Sequence, residues 1–463
     1  NGAEVSEIRV LDVERGVLLG DRIEASYGPM AWTPDHSAFL YDDGPRTDPQ
    51  GLEFHLNRKV RLHRLGTKVE TDPDILSNAS HPELNILGKE QPLAAIDEAA
   101  PGFIVGSAST AQQELRLFVA SVSGLEGKSL TWKPLCEPSD SLVGNVTIHD
   151  GHIYAMTHTR APKYRVVRTS LAAPDWSHAE TVVAEGPDPI RYLARSRDFL
   201  FIVYSNGVTG RVVKYALASG RSSEIATPIS GSLDILCPDA QSNRCILSIT
   251  SWIRPTTLYD LDADSGRLAK SIFNSDVVYP GFENLVSEEV QVPGQDGTPI
   301  PLSIIHRKDL KLDGSSCCLL DGYGCYGISL TPRFSILNSI ASRGVVRAYA
   351  HVRGGGEKGE AWHLAGYKST KPNTWKDYIA CAEYLVKHGY TSPERLGGTG
   401  TSAGGILISR AITERPDLFA AAVCNVGDAN AMRCEFGTDG PSNAMEYGTV
   451  RDSVECLALY EMD

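Results

Sequence analysis

No run of about 18 apolar residues occurs in this 463-residue chain, so a membrane-spanning helix is not expected. Basic excess is also missing: 44 Lys and Arg stand against 57 Asp and Glu, a formal net charge of −13. Nucleic acid held through phosphate contacts needs the opposite balance, so neither nucleic acid nor a membrane is an expected partner. The ten cysteines form no CxxC pair and no Cys/His cluster, which argues against a structural zinc site. Several lie in apolar runs, as buried free thiols do, and are read as reduced. That favours a cytoplasmic location. Periplasmic or secreted locations stay open, because the first residue is Asn and a missing start would hide a signal peptide. Low-complexity tracts are absent. So is any histidine beyond His388.

What is present divides in two. Residues 1–277 lack long helical periodicity and read as all-β. An apolar strand, about ten polar residues, a second strand and a turn recur as a unit. The first strands are Ala38–Tyr41, Phe103–Val105, His152–Met156, Phe199–Tyr204 and Cys245–Thr250. The second strands are Val60–Leu65, Leu115–Val122, Tyr164–Arg168, Arg211–Leu217 and Thr257–Leu261. Repeats of roughly 45–65 residues with several strands each indicate a β-propeller, of which about five blades are visible. The alternative is one large β-sandwich.

Residues 278–463 change pattern. A hairpin, Glu288–Val292 and Ile300–Ile305, turns at a Gly-Gln-Asp-Gly sequence. Strand candidates Cys317–Leu320, Gly344–Val352 and Leu396–Thr399 then alternate with helices. The first helix is Thr374–His388, with a capping-box pattern at Thr374 and Asp377 and a stop at Gly389. The second is Ala403–Arg415, stopped by Pro416. Such alternation implies an α/β domain with a mainly parallel sheet.

Between the last strand and its helix lies Gly400-Thr401-Ser402-Ala403-Gly404-Gly405. This is the layout of a nucleophile elbow, a sharp strand-to-helix turn that exposes a serine hydroxyl. Serine needs a base to accept its proton and donors to hold the oxyanion. The Ala403 N–H, one residue after Ser402, is placed to be one such donor, aided by the helix N-terminus. Two further glycine-rich stretches occur: Asp321-Gly322-Tyr323-Gly324-Cys325-Tyr326-Gly327 and Arg353-Gly354-Gly355-Gly356-Glu357. The first follows a strand end, where open α/β sheets meet ligands, although its tyrosines could equally be packing residues. The second lacks the GK[ST] ending of a phosphate loop and reads as a rigid turn, with Arg353 in a structural ion pair.

Together these stretches resemble the prolyl oligopeptidase family of serine peptidases. The match runs from Gly322 to Gly448. It includes Tyr323-Gly324, Ile328-Ser329-Leu330-Thr331-Pro332, Arg353-Gly354-Gly355-Gly356-Glu357 and Trp362-His363. It continues through Ala382-Glu383-Tyr384-Leu385, Gly389-Tyr390-Thr391-Ser392-Pro393, Ser402-Ala403-Gly404-Gly405 and Arg415-Pro416-Asp417-Leu418-Phe419. The resemblance implies an α/β-hydrolase catalytic domain, residues 278–463, and a seven-bladed propeller domain, residues 1–277, that filters substrates by size. It makes Ser402 the nucleophile, Ala403 and Tyr323 the oxyanion donors, and Tyr326 an aromatic wall of the pocket for the residue before the scissile bond. Asn443 falls near the place of a tryptophan that stacks on substrate proline in proline-specific members, so a proline preference does not carry over. The Ser-Ala-Gly-Gly elbow is similar to that of oligopeptidase B, which cuts after basic residues. Glu446 is then a candidate counter-ion for a basic side chain, against the commoner case of a solvated surface carboxylate.

The expected activity is hydrolysis of internal bonds in short peptides through an acyl-enzyme, with no metal or organic cofactor. An acylaminoacyl-peptidase, an esterase of the same fold, or a non-catalytic propeller protein with a degenerate hydrolase domain are the alternatives. In α/β-hydrolases the triad acid and histidine follow the serine. Here no histidine does, and His351, His363 and His388 read as structural. The expectation is therefore a fragment missing sequence at both ends, with its general base and acid beyond residue 463 and the chain alone inactive.

Overall fold

A computed structural model describes residues 5–463 apart from 45–50, 52, 98–99, 127–129, 276 and 438–439. From Ser6 to Lys270 the chain folds into five antiparallel sheets, each a meander in sequence order. The first has five strands and the others four. They are the blades of a β-propeller. Five of them are present among the described residues, the number visible in the sequence.

The strands read from sequence are the inner strands of these sheets. Phe199–Ser205 shows why: its pattern is buried almost throughout, and it pairs with strands on both sides. Apolar residues of successive sheets pack together. Leu40, Val60 and Leu62 of the first join Ile104 and Phe118 of the second. Phe201, Val203 and Val212 of the fourth join Leu247 and Ile249 of the fifth.

After the fifth sheet the chain builds a six-stranded sheet in the spatial order Leu285–Pro293, Pro299–Arg307, Val346–Ala350, Cys318–Gly322, Leu396–Thr401, Ala421–Asn425. The first two strands form the antiparallel hairpin, turned at Gly294–Gly297. The last four are mutually parallel. Helices Pro372–Lys387 and Gly404–Glu414 cover the sheet through a core that includes Leu320, Ala348, Trp375, Tyr378 and Ile408. Tyr378 reaches between two strands, donating to the Leu320 carbonyl at 2.8 Å and accepting from the Thr399 amide at 3.2 Å. Gly322 leaves it room, because a Cβ there would lie 2.8 Å from its ring.

One local reading needs correction. The first helix begins at Pro372, with Pro at its first turn, so Thr374 and Asp377 form no capping box. Both are buried and bonded to Arg353 instead. By compactness the chain divides into two units. One comprises 1–155, 167–181 and 435–445, the other 156–166, 182–434 and 446–463. The second unit holds the last two blades together with the hydrolase sheet. All ten cysteines are free thiols. Among the described residues, no helix is long and apolar enough to cross a membrane.

Candidate active site

Strand Leu396–Thr401 ends where Thr401 pairs with Asn425, and helix Gly404–Glu414 starts directly after. Ser402 makes the turn between them at φ 54°, a left-handed conformation that costs a non-glycine residue about 1–3 kcal/mol. Three backbone bonds hold it there. The Ser402 amide donates to the Asn425 carbonyl at 3.0 Å, and its own carbonyl accepts from Gly405 at 2.8 Å and Asp428 at 3.0 Å. The side chain is exposed.

The glycines of the elbow answer to close backbone approach. A Cβ at Gly400 would run into the Gly404 carbonyl, and one at Gly405 would lie 2.6 Å from the Asp428 amide. Ala403 is buried at the head of the helix, so its position follows from the same turn.

Tyr323 comes to the elbow from the neighbouring strand, whose last residue, Gly322, pairs with Gly400. Its phenol lies close enough to the Ser402 side chain to be influenced by it. Burial pushes that phenol above its usual range, and the contact with Ser402 pulls the other way. A neutral O–H beside the serine is the state that can donate to a developing oxyanion.

Tyr326 lies further along the same loop at φ 58°. Its hydroxyl donates to Tyr447 at 2.9 Å, and Tyr447 donates to Asp428 Oδ2 at 3.1 Å. Since the Asp428 amide binds the Ser402 carbonyl, this relay joins the pocket tyrosines to the elbow. Sequence reasoning gave no role to Tyr447, Asp428 or Lys371. Tyr447 stands within the matched stretch near Gly448, but nothing local marks its partner at 326.

Glu446 is neither solvated nor free. It is 2% exposed, accepting from the Tyr326 amide at 2.8 Å and from His363 Nε2 at 2.9 Å. Burial would raise its carboxyl, but His363 and the charge on Lys371 outweigh this and hold it below the usual range. The surface reading failed because a single glutamate on a short helix carries no sign of its partners. Asn443 lies on the same helix, Gly440–Tyr447, one turn earlier.

The Arg353 stretch is structural. Arg353 binds Asp377 through Nε at 2.8 Å and a terminal nitrogen at 2.5 Å, and Asp296 at 2.6 Å. Two of its three glycines press against the tyrosine loop. A Cβ at Gly354 would collide with the Gly324 carbonyl, and one at Gly356 with the Gly327 carbonyl. The Gly327 amide donates to the Gly354 carbonyl at 3.1 Å.

The histidines before Ser402 have other partners. His351 Nε2 lies 2.8 Å from Ser303 Oγ, and His388 bonds the Tyr384 carbonyl at 2.9 Å. His363 is held by Glu446 and, at 3.6 Å, Glu360. Ser402, Tyr323 and Tyr326 are thus brought to one end of the sheet, while these three histidines are engaged with other residues.

Comparison with known proteins agrees with this geometry. The family model for the prolyl oligopeptidase N-terminal β-propeller domain matches residues 1–272, and that for the prolyl oligopeptidase family matches 332–460. A prolyl endopeptidase of Elizabethkingia miricola is 31% identical over 457 residues, 98% of this chain and 63% of its own length. A solved prolyl endopeptidase structure superposes with a TM-score of 0.86 at 26% identity, over 99% of this chain and 66% of that one. Prolyl oligopeptidase B of Galerina marginata, solved with a 25mer macrocyclization substrate, gives 0.85 at 25%, over 100% and 66%. The chain thus spans just under two thirds of the length of these relatives. With both of its halves matched and the elbow, tyrosine loop and propeller sheets in place, it belongs to the prolyl oligopeptidase family.

Proposed function

We propose that the chain carries the nucleophile of a serine-type oligopeptidase that hydrolyses internal bonds of short peptides. The observation that supports this most is Ser402, exposed at φ 54° on a strand-to-helix turn with the Tyr323 phenol beside it. In this reading Ser402 Oγ attacks the peptide carbonyl and forms an acyl-enzyme, which water then hydrolyses. The Ala403 N–H and the Tyr323 O–H stabilise the oxyanion of each tetrahedral intermediate. Tyr326 lines the pocket for the residue before the scissile bond. Peptide substrates fit the names of the relatives, prolyl endopeptidases and an oligopeptidase with a macrocyclization substrate. A cytoplasmic location fits the ten free thiols.

The mechanism still requires a base. No histidine follows Ser402 in residues 1–463, so the reading assigns the triad histidine and its acid to sequence outside them. Two experiments test this. First, the encoding gene is read past residue 463, where an Asp followed by a His is expected; a stop codon there sinks the peptidase reading of this chain. Second, a fluorophosphonate probe is applied to the full-length gene product and to the 463-residue chain. Rapid labelling at Ser402 is expected of the first and slow labelling of the second. A fluorogenic panel with Pro, Arg or acyl-amino ends, run beside simple esters, then separates an oligopeptidase from an acylaminoacyl-peptidase or esterase.

A further inference from the structure

Behind the tyrosine loop lies a charged cluster that chemistry at Ser402 does not itself use. Lys371 is 1% exposed, yet its ammonium donates to the Gly324 carbonyl at 2.7 Å and lies 2.8 Å from Cys325 Sγ. It is also 3.7 Å from Glu446 Oε1. That same oxygen accepts from the Tyr326 amide, while Oε2 takes His363. One carboxylate and two basic side chains therefore converge on three successive residues, Gly324, Cys325 and Tyr326.

The loop needs such partners. Gly324, Tyr326 and Gly327 all have positive φ, at 71°, 58° and 62°, and no sheet ladder pairs this segment. Its buried backbone groups must be satisfied from elsewhere. Buried charges are tolerated only when paired, and each member of this cluster supplies what another lacks. Both oxygens of Glu446 are already engaged by donors, so an incoming guanidinium would have to displace one of them.

We infer that Glu446, His363 and Lys371 are positioning residues. They lock the 323–327 loop so that the Tyr323 hydroxyl stays at Ser402 and the Tyr326 ring at Tyr447. Glu446 thereby acts on the loop and not as the counter-ion of a basic substrate side chain. This inference rests on Ser402 being the nucleophile, and its test separates the two ideas.

In the full-length gene product, Glu446→Gln is assayed on matched peptides with Arg or Ala before the cleaved bond. Displacing the loop should lower kcat about ten- to a hundredfold on both peptides, with KM little changed. A loss confined to the Arg peptide and expressed in KM would overturn the inference. The second measurement needs no activity. In the 463-residue chain, His363 is titrated by NMR. Burial pulls its imidazole down, but Glu360 and Glu446 outweigh this and hold it up to about 9; the Tyr367 ring packs beside it, and Lys371 faces the same Glu446 carboxylate. Glu446→Gln should move that midpoint toward 6.5 and shift the Tyr326 amide resonance, with the circular dichroism unchanged. His363→Gln, which leaves the Lys371 contact, should shift the same amide and serves if the first variant does not fold. Unmoved signals sink the positioning role. Moved signals in a protein whose full-length form hydrolyses no peptide sink the peptidase reading alone.

Discussion

Ser303 lies against a histidine and Ser402 against a tyrosine, and the pair separates what a nucleophile needs from what merely looks like one. Ser303 Oγ is 2.8 Å from His351 Nε2, and His351 Nδ1 is 3.5 Å from Glu357. By side-chain inventory that is Ser, His and acid in contact. Yet Ser303 is 0% exposed and sits in a regular strand, paired with Glu289 on one side and Tyr349 on the other. Its hydroxyl donates to Glu289 at 2.6 Å, so His351 Nε2 must donate to Ser303 and cannot act as its base. Ser402 has the reverse endowment: an exposed hydroxyl, a left-handed backbone, a helix N-terminus and a phenol, with no histidine after it. On the proposed reading, a strained, exposed turn at a helix N-terminus marks a candidate nucleophile better than the company of a histidine does.

The comparison breaks if the wrong serine reacts. Ser402→Ala in the full-length gene product should abolish fluorophosphonate labelling and lower peptide hydrolysis by at least about a thousandfold, whereas Ser303→Ala should leave both nearly unchanged. Next in size is the elbow itself. Gly400→Ala places a methyl against the Gly404 carbonyl and should cost upwards of about 2 kcal/mol in urea unfolding, with labelling lost as the turn opens. Ser303→Ala should appear in stability instead, at about 1–3 kcal/mol, because it strands its buried partner His351. The smallest effect is a pH slope. His363 is raised on folding from 6.5 to about 9, so its contribution is complete below pH 6.5 and is lost as pH rises through about 9. The thermal midpoint of the 463-residue chain should fall across that window, and His363→Gln should flatten the fall.

The inner propeller strands were legible because they are apolar and buried, as in Phe199–Ser205. The outer ones were not. Ser222–Glu224 is exposed along its whole length and carries no alternation to read. Val17–Trp32 escaped reading although it pairs on both sides, because it contains Gly20, Gly28 and Pro29 and pairs with shifts in register, which in sequence resembles a loop. At the site, Ser402 and Ala403 could be read because their turn demands local glycines. Glu446 could not, since His363 lies 83 positions away and Tyr326 120. Charges that meet only in the folded chain leave no local pattern. The same holds for Asp377, whose apparent capping role gave way to a distant arginine.

The glycines at 354–356 have a consequence for altering this protein. Gly354 and Gly356 meet the tyrosine loop main chain to main chain, so the loop is cast against a mould with no side chains to trim. Enlarging either would shift the segment that carries both Tyr323 and Tyr326. A change of side chain at Tyr326 or Tyr447 leaves that mould in place and acts through the relay to Asp428 instead. A library designer thus reaches the elbow by two routes, one through the backbone mould and one through the tyrosine hydroxyls.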